Sequence, residues 1–178
     1  RIACIVENVD GQSVKAYCDV EIYEPVDSTK IQLNELTICT GNEETLECIV
    51  QPQEAYYKDV IWESSASDIV SVDKNGEIHA LKAGSATITA TTTDPVLQSS
   101  SNYHPSSCKI TVIQKAQEIV LEQDTLLVPK GGKIKLSETV LPEDTTDSSV
   151  SWVAEDSSLA EINGHSLAAK EVGETILI

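Results

Sequence analysis

The chain has 178 residues, 29 of them acidic and 12 basic, and the formal charge of −17 repels phosphate backbones and anionic lipid surfaces, which argues against a nucleic-acid binder. A hydrophobic content of 40% is enough for a buried core, and a chain without Phe or Met that is rich in Val, Ile, Ser and Thr favours pleated surfaces over helices. No apolar run reaches membrane-spanning length, so no direct membrane insertion of this segment is expected.

In chain order, the first residues alternate in polarity around Asp10-Gly11, a hairpin signal. Cys18, Val20 and Ile22 then lie 90 positions before Cys108, Ile110 and Val112, so residues 1–24 read as the C-terminal strands of a partial repeat. The repeat itself is visible further on. Ile31 and Leu33 recur as Ile119 and Leu121, and Gly41, Leu46, Val50, Pro52, Val60 and Trp62 recur at a constant offset of 90 as Gly131, Leu136, Val140, Pro142, Val150 and Trp152. Later matches drift by one or two positions, as small changes in turns produce: Asn75-Gly76 answers Asn163-Gly164, and Gly84 answers Gly173. The organisation expected is therefore 1–24, a complete repeat over 25–114, and a repeat over 115–178 that lacks its last strand. The strand Glu174–Ile178 stops before any turn signal, and the stretch reads as a piece of a longer array.

Within residues 25–114 the strands follow from period-two alternation. Leu46, Cys48 and Val50 share one face, as do Ala86, Ile88 and Ala90, with Thr87, Thr89 and Thr91 opposite, and Cys108, Ile110 and Val112 form a closing strand. Turn residues separate them at Thr40-Gly41-Asn42, Pro52 to Tyr57, Asp73 to Gly76, Lys82 to Gly84, and in a long polar loop from Asp94 to Ser107. About seven short strands with a Trp on the third imply an all-β, two-sheet sandwich repeated in tandem. Trp62, Trp152, Cys48, Cys108 and Cys18 are the expected core positions. Five cysteines leave at least one without a partner in the chain. Cys4 and Cys18 flank the first turn and share a face only if the loop is odd in length. Spacing leaves a cross-strand bridge and free thiols both open, and buried free thiols are preferred because adjacent-strand bridges are geometrically demanding.

These residues resemble the group-two bacterial immunoglobulin-like domains of invasin- and intimin-type surface proteins. The resemblance rests on Ile31-x-Leu33, Gly41, Val50-x-Pro52, Val60-x-Trp62-x-Ser64-Ser65, Val70-x-Val72, Asn75-Gly76, the run Gly84 to Ala90, and the closing Cys108 to Val112. It implies an extracellular or cell-surface setting, a structural part in adhesion, and neighbouring Ig-like repeats of the same protein as first partners. Glu138 departs from the pattern, since alternation calls for a small inward residue there. An unpaired buried carboxylate is costly, so that strand is expected to bulge or to expose the position.

Chemistry is sparse. No glycine-rich phosphate loop or nucleophile elbow is present, and none of His79, His104 and His165 has a second His or a Cys at metal-ligand spacing. All three read as solvated, and no enzyme activity, cofactor or metal is expected. The acidic pairs Glu43-Glu44 and Glu143-Asp144 read as hydrated turns. Candidate contact groups for a host or cell-surface protein or glycan are Tyr103 and His104 in the 94–107 loop with Tyr56 and Tyr57, because tyrosines at sandwich tips make anchors. Their alternative use is packing at repeat junctions. An accessory module of a secreted polysaccharide-degrading enzyme would leave the same sequence.

Overall fold

The computed structural model describes residues 1–178. At its head, β1 (Ile2–Glu7) and β2 (Ser13–Cys18) make an antiparallel hairpin in which Ile2 faces Cys18, Cys4 faces Ala16 and Val6 faces Val14. One face is thus wholly apolar, yet no other strand pairs with the hairpin and all of its residues are exposed. Here the sequence expectation is corrected. Cys18 is not a core residue, because no second sheet lies over its face. Cys4 shares that face but sits diagonally from Cys18, and both are free thiols.

The middle of the chain holds β3 (Ser28–Ile31), β4 (Glu35–Cys39), β5 (Glu43–Thr45), β6 (Cys48–Gln51), β7 (Val60–Ser64), β8 (Val70–Val72), β9 (Glu77–Ala80), β10 (Gly84–Thr92), the short helix α1 (Pro95–Gln98) and β11 (Ser106–Ile113). One sheet has the order β4-β11-β10-β7, with β4 parallel to β11 and the other pairs antiparallel. The facing layer consists of β3-β6 and β5-β9-β8. In it β5 and β6 are two halves of one strand broken at Leu46-Glu47, and the Leu46 N–H extends the β5–β9 register by one residue, donating to the Gly76 carbonyl at 2.9 Å.

Alternation decides what lies between the layers. Ala86, Ile88 and Ala90 of β10 and Cys108, Ile110 and Val112 of β11 are buried against Ile31, Leu46, Val70 and Ile78 from the facing layer, and Trp62, Leu36 and Ile69 pack around them. Gly84 shows why a side chain is excluded where the β10 backbone starts. Its φ is +150°, and an added Cβ would lie 2.8 Å from Ile69.

The third stretch repeats the β3-β6 and β5-β9-β8 layer strand by strand. β12 (Glu118–Leu121) pairs with β14 (Glu138–Leu141), and β13 (Lys133–Lys135) and β15 (Ala160–Asn163) flank β16 (Ser166–Ala169). Registers are copied too. Ser28 opposite Gln51 becomes Glu118 opposite Leu141, and Val70 opposite Ala80 becomes Ala160 opposite Ala169. The bridge Ala154–Leu177 matches Ser64–Ile88, and Gly173 meets Leu159 as Gly84 meets Ile69. The sheet built by β10 and β11 is represented only by that last segment, so the buried core contracts to Leu136, Ala160 and Leu167.

Candidate functional site at the repeat joints

The segment entering the middle repeat is laid into a seat formed by two loops. The Tyr56 N–H donates to the Glu24 carbonyl at 3.0 Å and the Asp27 N–H to the Gln51 carbonyl at 2.8 Å. Ninety residues later the same seat recurs: the Thr146 N–H donates to the Gln114 carbonyl at 2.8 Å and the Gln117 N–H to the Leu141 carbonyl at 2.8 Å. Side chains differ where the backbone agrees. At the second joint the Gln114 N–H donates to the Thr146 hydroxyl at 2.7 Å, and the Thr145 hydroxyl donates to the Gln114 carbonyl at 3.0 Å. At the first, Tyr23, Tyr56 and Tyr57 gather into an aromatic cluster with ring centroids 5.1–5.6 Å apart.

Asp94 ties this cluster to the sandwich. Its carboxylate is buried, accepts from the Val26 N–H at 3.0 Å and the Tyr23 hydroxyl at 3.4 Å, and caps α1 through the Val96 and Leu97 N–H groups at 2.9 and 3.4 Å. Burial by itself opposes ionisation, but the donors from Val26, Val96, Leu97 and Tyr23 outweigh it and hold the carboxyl below its ordinary value. Desolvation and then the Asp94 charge push the Tyr23 phenol the other way, above its ordinary value. The local signal was present in sequence. Asp94 followed by Pro95 places a capping acid before a proline at the first helical turn, and no helix was expected there.

The four candidate contact residues divide. Tyr103 is half-buried with its hydroxyl engaged, accepting from the Thr92 N–H at 2.8 Å and sharing a bond with the Thr29 hydroxyl at 3.1 Å. Tyr56 and Tyr57 belong to the joint, on the same side of the sandwich as the 94–107 loop, which Tyr23 links to them. His104 is exposed and takes part in no hydrogen bond of the chain. Elsewhere, His79 Nδ1 lies 2.8 Å from a Glu43 carboxylate oxygen across the β5–β9 pair.

The expected core positions are placed as follows. Cys108 is fully buried, and Trp62 and Cys48 are partly buried against the same core, where desolvation raises both thiols above their ordinary value. Trp152 packs on the smaller core of the third repeat. The expectation for Glu138 is corrected. β14 has an unbroken register, and the Glu138 side chain is only 10% exposed because both of its oxygens are paired. The Trp152 indole N–H donates to one at 3.1 Å, and His165 Nε2 lies 2.7 Å from the other. His165 is exposed, as expected, and its ring also meets the Glu138 carboxylate. The equivalences explain how. Glu138 stands where Cys48 does, and the Leu136 N–H bonds the His165 carbonyl as the Leu46 N–H bonds that of Gly76, so the His replaces a glycine. At Gly76 the φ is +86° and a Cβ would lie 2.5 Å from the Leu46 carbonyl and 2.8 Å from the Trp62 ring. A turn one residue shorter, Gly164-His165 in place of Lys74-Asn75-Gly76, makes room for the imidazole.

Two facing, mostly antiparallel layers with these connections define an immunoglobulin-like β-sandwich in the middle of the chain. Residues 25–100 match the sequence profile of the bacterial Ig-like domain (group 2). Similar proteins include an uncharacterized protein of Clostridium acetobutylicum, 35% identical over 130 residues, covering 73% of this chain and 13% of that protein. A second uncharacterized protein of the same organism is 37% identical over 84 residues, 47% of this chain and 21% of its own length. An alpha-L-arabinofuranosidase of Bifidobacterium longum is 34% identical over 83 residues, covering 44% of this chain and 8% of that protein. The chain thus spans a small part of each relative. Among solved structures, Sidekick-1 immunoglobulin domains 1–4 align with a TM-score of 0.46 at 13% identity, covering 96% of this chain and 50% of that one. Domains 4 and 5 of the S-layer protein SbsC align at 0.38 and 13%, covering 62% and 64%.

Proposed function

We propose that this segment is a non-catalytic run of Ig-like repeats in a bacterial cell-surface protein, acting as a rigid spacer that holds other parts of that protein away from the cell. The observation that carries the reading is the recurrence of the joint. Both inter-repeat segments are fixed by the same backbone bonds, Glu24 to Tyr56 and Gln114 to Thr146, so each connecting segment is seated on the repeat that follows it instead of hanging as a loose tether. Length then scales with repeat number, a property that calls for no active site. The match of residues 25–100 to the bacterial Ig-like domain supports the extracellular setting, and no helix of the chain is long and apolar enough to cross a membrane. Nitrogen-15 relaxation on the 178-residue chain tests the rigidity. Backbone amides of the middle and third repeats should report one rotational correlation time, and two independent values would overturn the spacer reading. Protease shaving of intact cells that carry the full protein tests the location, since a surface spacer is cleaved without lysis.

A second reading is favoured by one observation, the likeness to an alpha-L-arabinofuranosidase. In it the repeats are accessory modules of a secreted polysaccharide-degrading enzyme. A glycoside hydrolase domain elsewhere in the full protein would select this reading. Contact with a glycan or host protein through the 94–107 loop is the weaker proposal on chemical grounds, because the Tyr103 hydroxyl and the Tyr56–Tyr57 pair are already engaged. Of the candidates, His104 and Tyr56 remain exposed.

A further inference from the structure

The two repeats also differ beside the broken strand. In the middle repeat β6 pairs with β3 alone, and its other edge borders an open groove of about 780 Å³ whose lining includes Cys48, Ile49, Val60 and Trp62 under the turn at Lys74. In the third repeat β14 likewise pairs with β12 alone, but the residues at the Cys48 and Gly76 positions, Glu138 and His165, meet at 2.7 Å. The contrast is chemical as well as steric. Trp152 gives its indole N–H to the Glu138 carboxylate. The Trp62 N–H donates to no group of the protein, and because every buried polar side-chain atom has a partner, it opens to solvent in the groove.

From this we propose that the groove over Trp62 binds an extended peptide bearing a carboxylate side chain, which pairs with the open edge of β6 and accepts the Trp62 indole N–H as Glu138 does in the next repeat. The third repeat carries the occupant's carboxylate within itself, on β14, the counterpart of β6. Charge agrees with the assignment. Lys58 and Lys74 line the groove and neither is in an ion pair of the chain, whereas the third repeat, with its own carboxylate, has Ser148 and the shorter Gly164-His165 turn in their places. Of the two acids that also line the groove, Glu47 accepts from the Gln32 amide at 2.6 Å, which leaves Asp59 the less engaged one. A strand that adds to a free sheet edge gains affinity from main-chain bonds and selectivity from pockets for alternate side chains, and here the groove offers apolar walls, two unpaired lysines set against two acids, and one donor.

The chain's two tryptophans make the test direct, since each gives one indole N–H signal in a proton–nitrogen correlation spectrum of the intact 178-residue protein. The signals are assigned with Trp152→Phe, and the probe is a capped hexapeptide of alternating Val and Glu. The expected result is a saturable shift of the Trp62 signal with the Trp152 signal unmoved, no shift from the matching Val-Gln peptide, and no shift in Cys48→Glu, where a side chain of the protein takes the donor. If Cys48→Glu fails to fold, Lys58→Gln/Lys74→Gln serves instead and should raise Kd by roughly 3- to 10-fold. An unmoved Trp62 signal overturns the proposal, as does an equal response to the Val-Gln peptide or a shift produced by oligogalacturonate and not by the peptide. None of these outcomes bears on the rigidity of the joints.

Discussion

The middle and third repeats are cut to one template, and they share the β3-β6 and β5-β9-β8 layer down to residue-by-residue register. What separates them is cover. In the middle repeat β10 and β11 close over that layer and bury twelve residues, while in the third only the bridge at Leu177 stands in for the second sheet and three are buried. The shared layer therefore does not owe its shape to the second sheet. Its strand pairing is set by local alternation and by the turns, whereas the size of the core is set by what lies on top. The head hairpin completes the comparison: it has the register of β10–β11, with Ile2 opposite Cys18 as Ile88 is opposite Cys108, and with nothing over it every side chain is exposed.

The largest test of this contrast lies at Ile88, fully buried, and at its counterpart Leu177, which is only partly so. Ile88→Ala should cost the middle repeat about 3–4 kcal/mol, since it removes buried methylenes and leaves a cavity, and Leu177→Ala should cost the third repeat about 1 kcal/mol because its site is half open already. Urea unfolding followed by Trp62 fluorescence in a Trp152→Phe background, and the reverse, reads the two repeats separately. Equal losses would mean that the second sheet contributes little to the middle core.

Next in size is Asp94. Asp94→Ala removes an N-cap and leaves the Val26 N–H without its acceptor, for an expected loss of about 2–4 kcal/mol confined to the middle repeat. The residue also sets a pH dependence. Its carboxyl is depressed in the folded chain, so the stability it supplies is present above the ordinary carboxylate range and is lost as pH falls through the folded value. Asp73, held by backbone N–H groups of Glu77 and Asn75, adds to the same acid decline in the middle repeat, and Asp147 and Asp156, held by Ser149 and Ser158, do so in the third. Asp94→Asn should flatten the decline of the middle repeat alone, measured as thermal midpoint against pH.

How much of this was legible in advance follows from where each feature is encoded. Alternation at Ala86-Ile88-Ala90 and Cys108-Ile110-Val112 is a property of single strands, and it announced both the sandwich and its core. Cys18 has the same local pattern, but burial depends on a partner sheet that no strand can specify by itself. Glu138 fails for a related reason. Its acceptability rests on Trp152, 14 residues on, and on His165, 27 residues on, and the second enters only because the turn before it is shorter by one residue. Alternation predicted where the Glu side chain points and could not predict what it meets. The tyrosines were legible as a group and not as a site: their clustering with Tyr23, and the capture of the Tyr103 hydroxyl by Thr92 and Thr29, are facts of loop geometry.

The trio Trp152–Glu138–His165 offers the finest distinction between the repeats. In Glu138→Ala the indole and imidazole both lose an acceptor, and the third repeat should weaken by roughly 1–3 kcal/mol, the scale of a partly buried hydrogen bond to a charged group. Glu138→Cys restores the residue the middle repeat uses at this place, yet it should recover little of that loss, because a thiol is a poor acceptor for the indole and His165 stays over the edge. Pairing Glu138→Cys with His165→Gly removes the orphaned imidazole as well. If that double variant is more stable than Glu138→Cys alone, the two side chains act as one unit and the coupling measured in the cycle is the energy of their bond. If the two changes are additive, His165 merely leans on the carboxylate, and the Glu138 side chain is held by Trp152 alone.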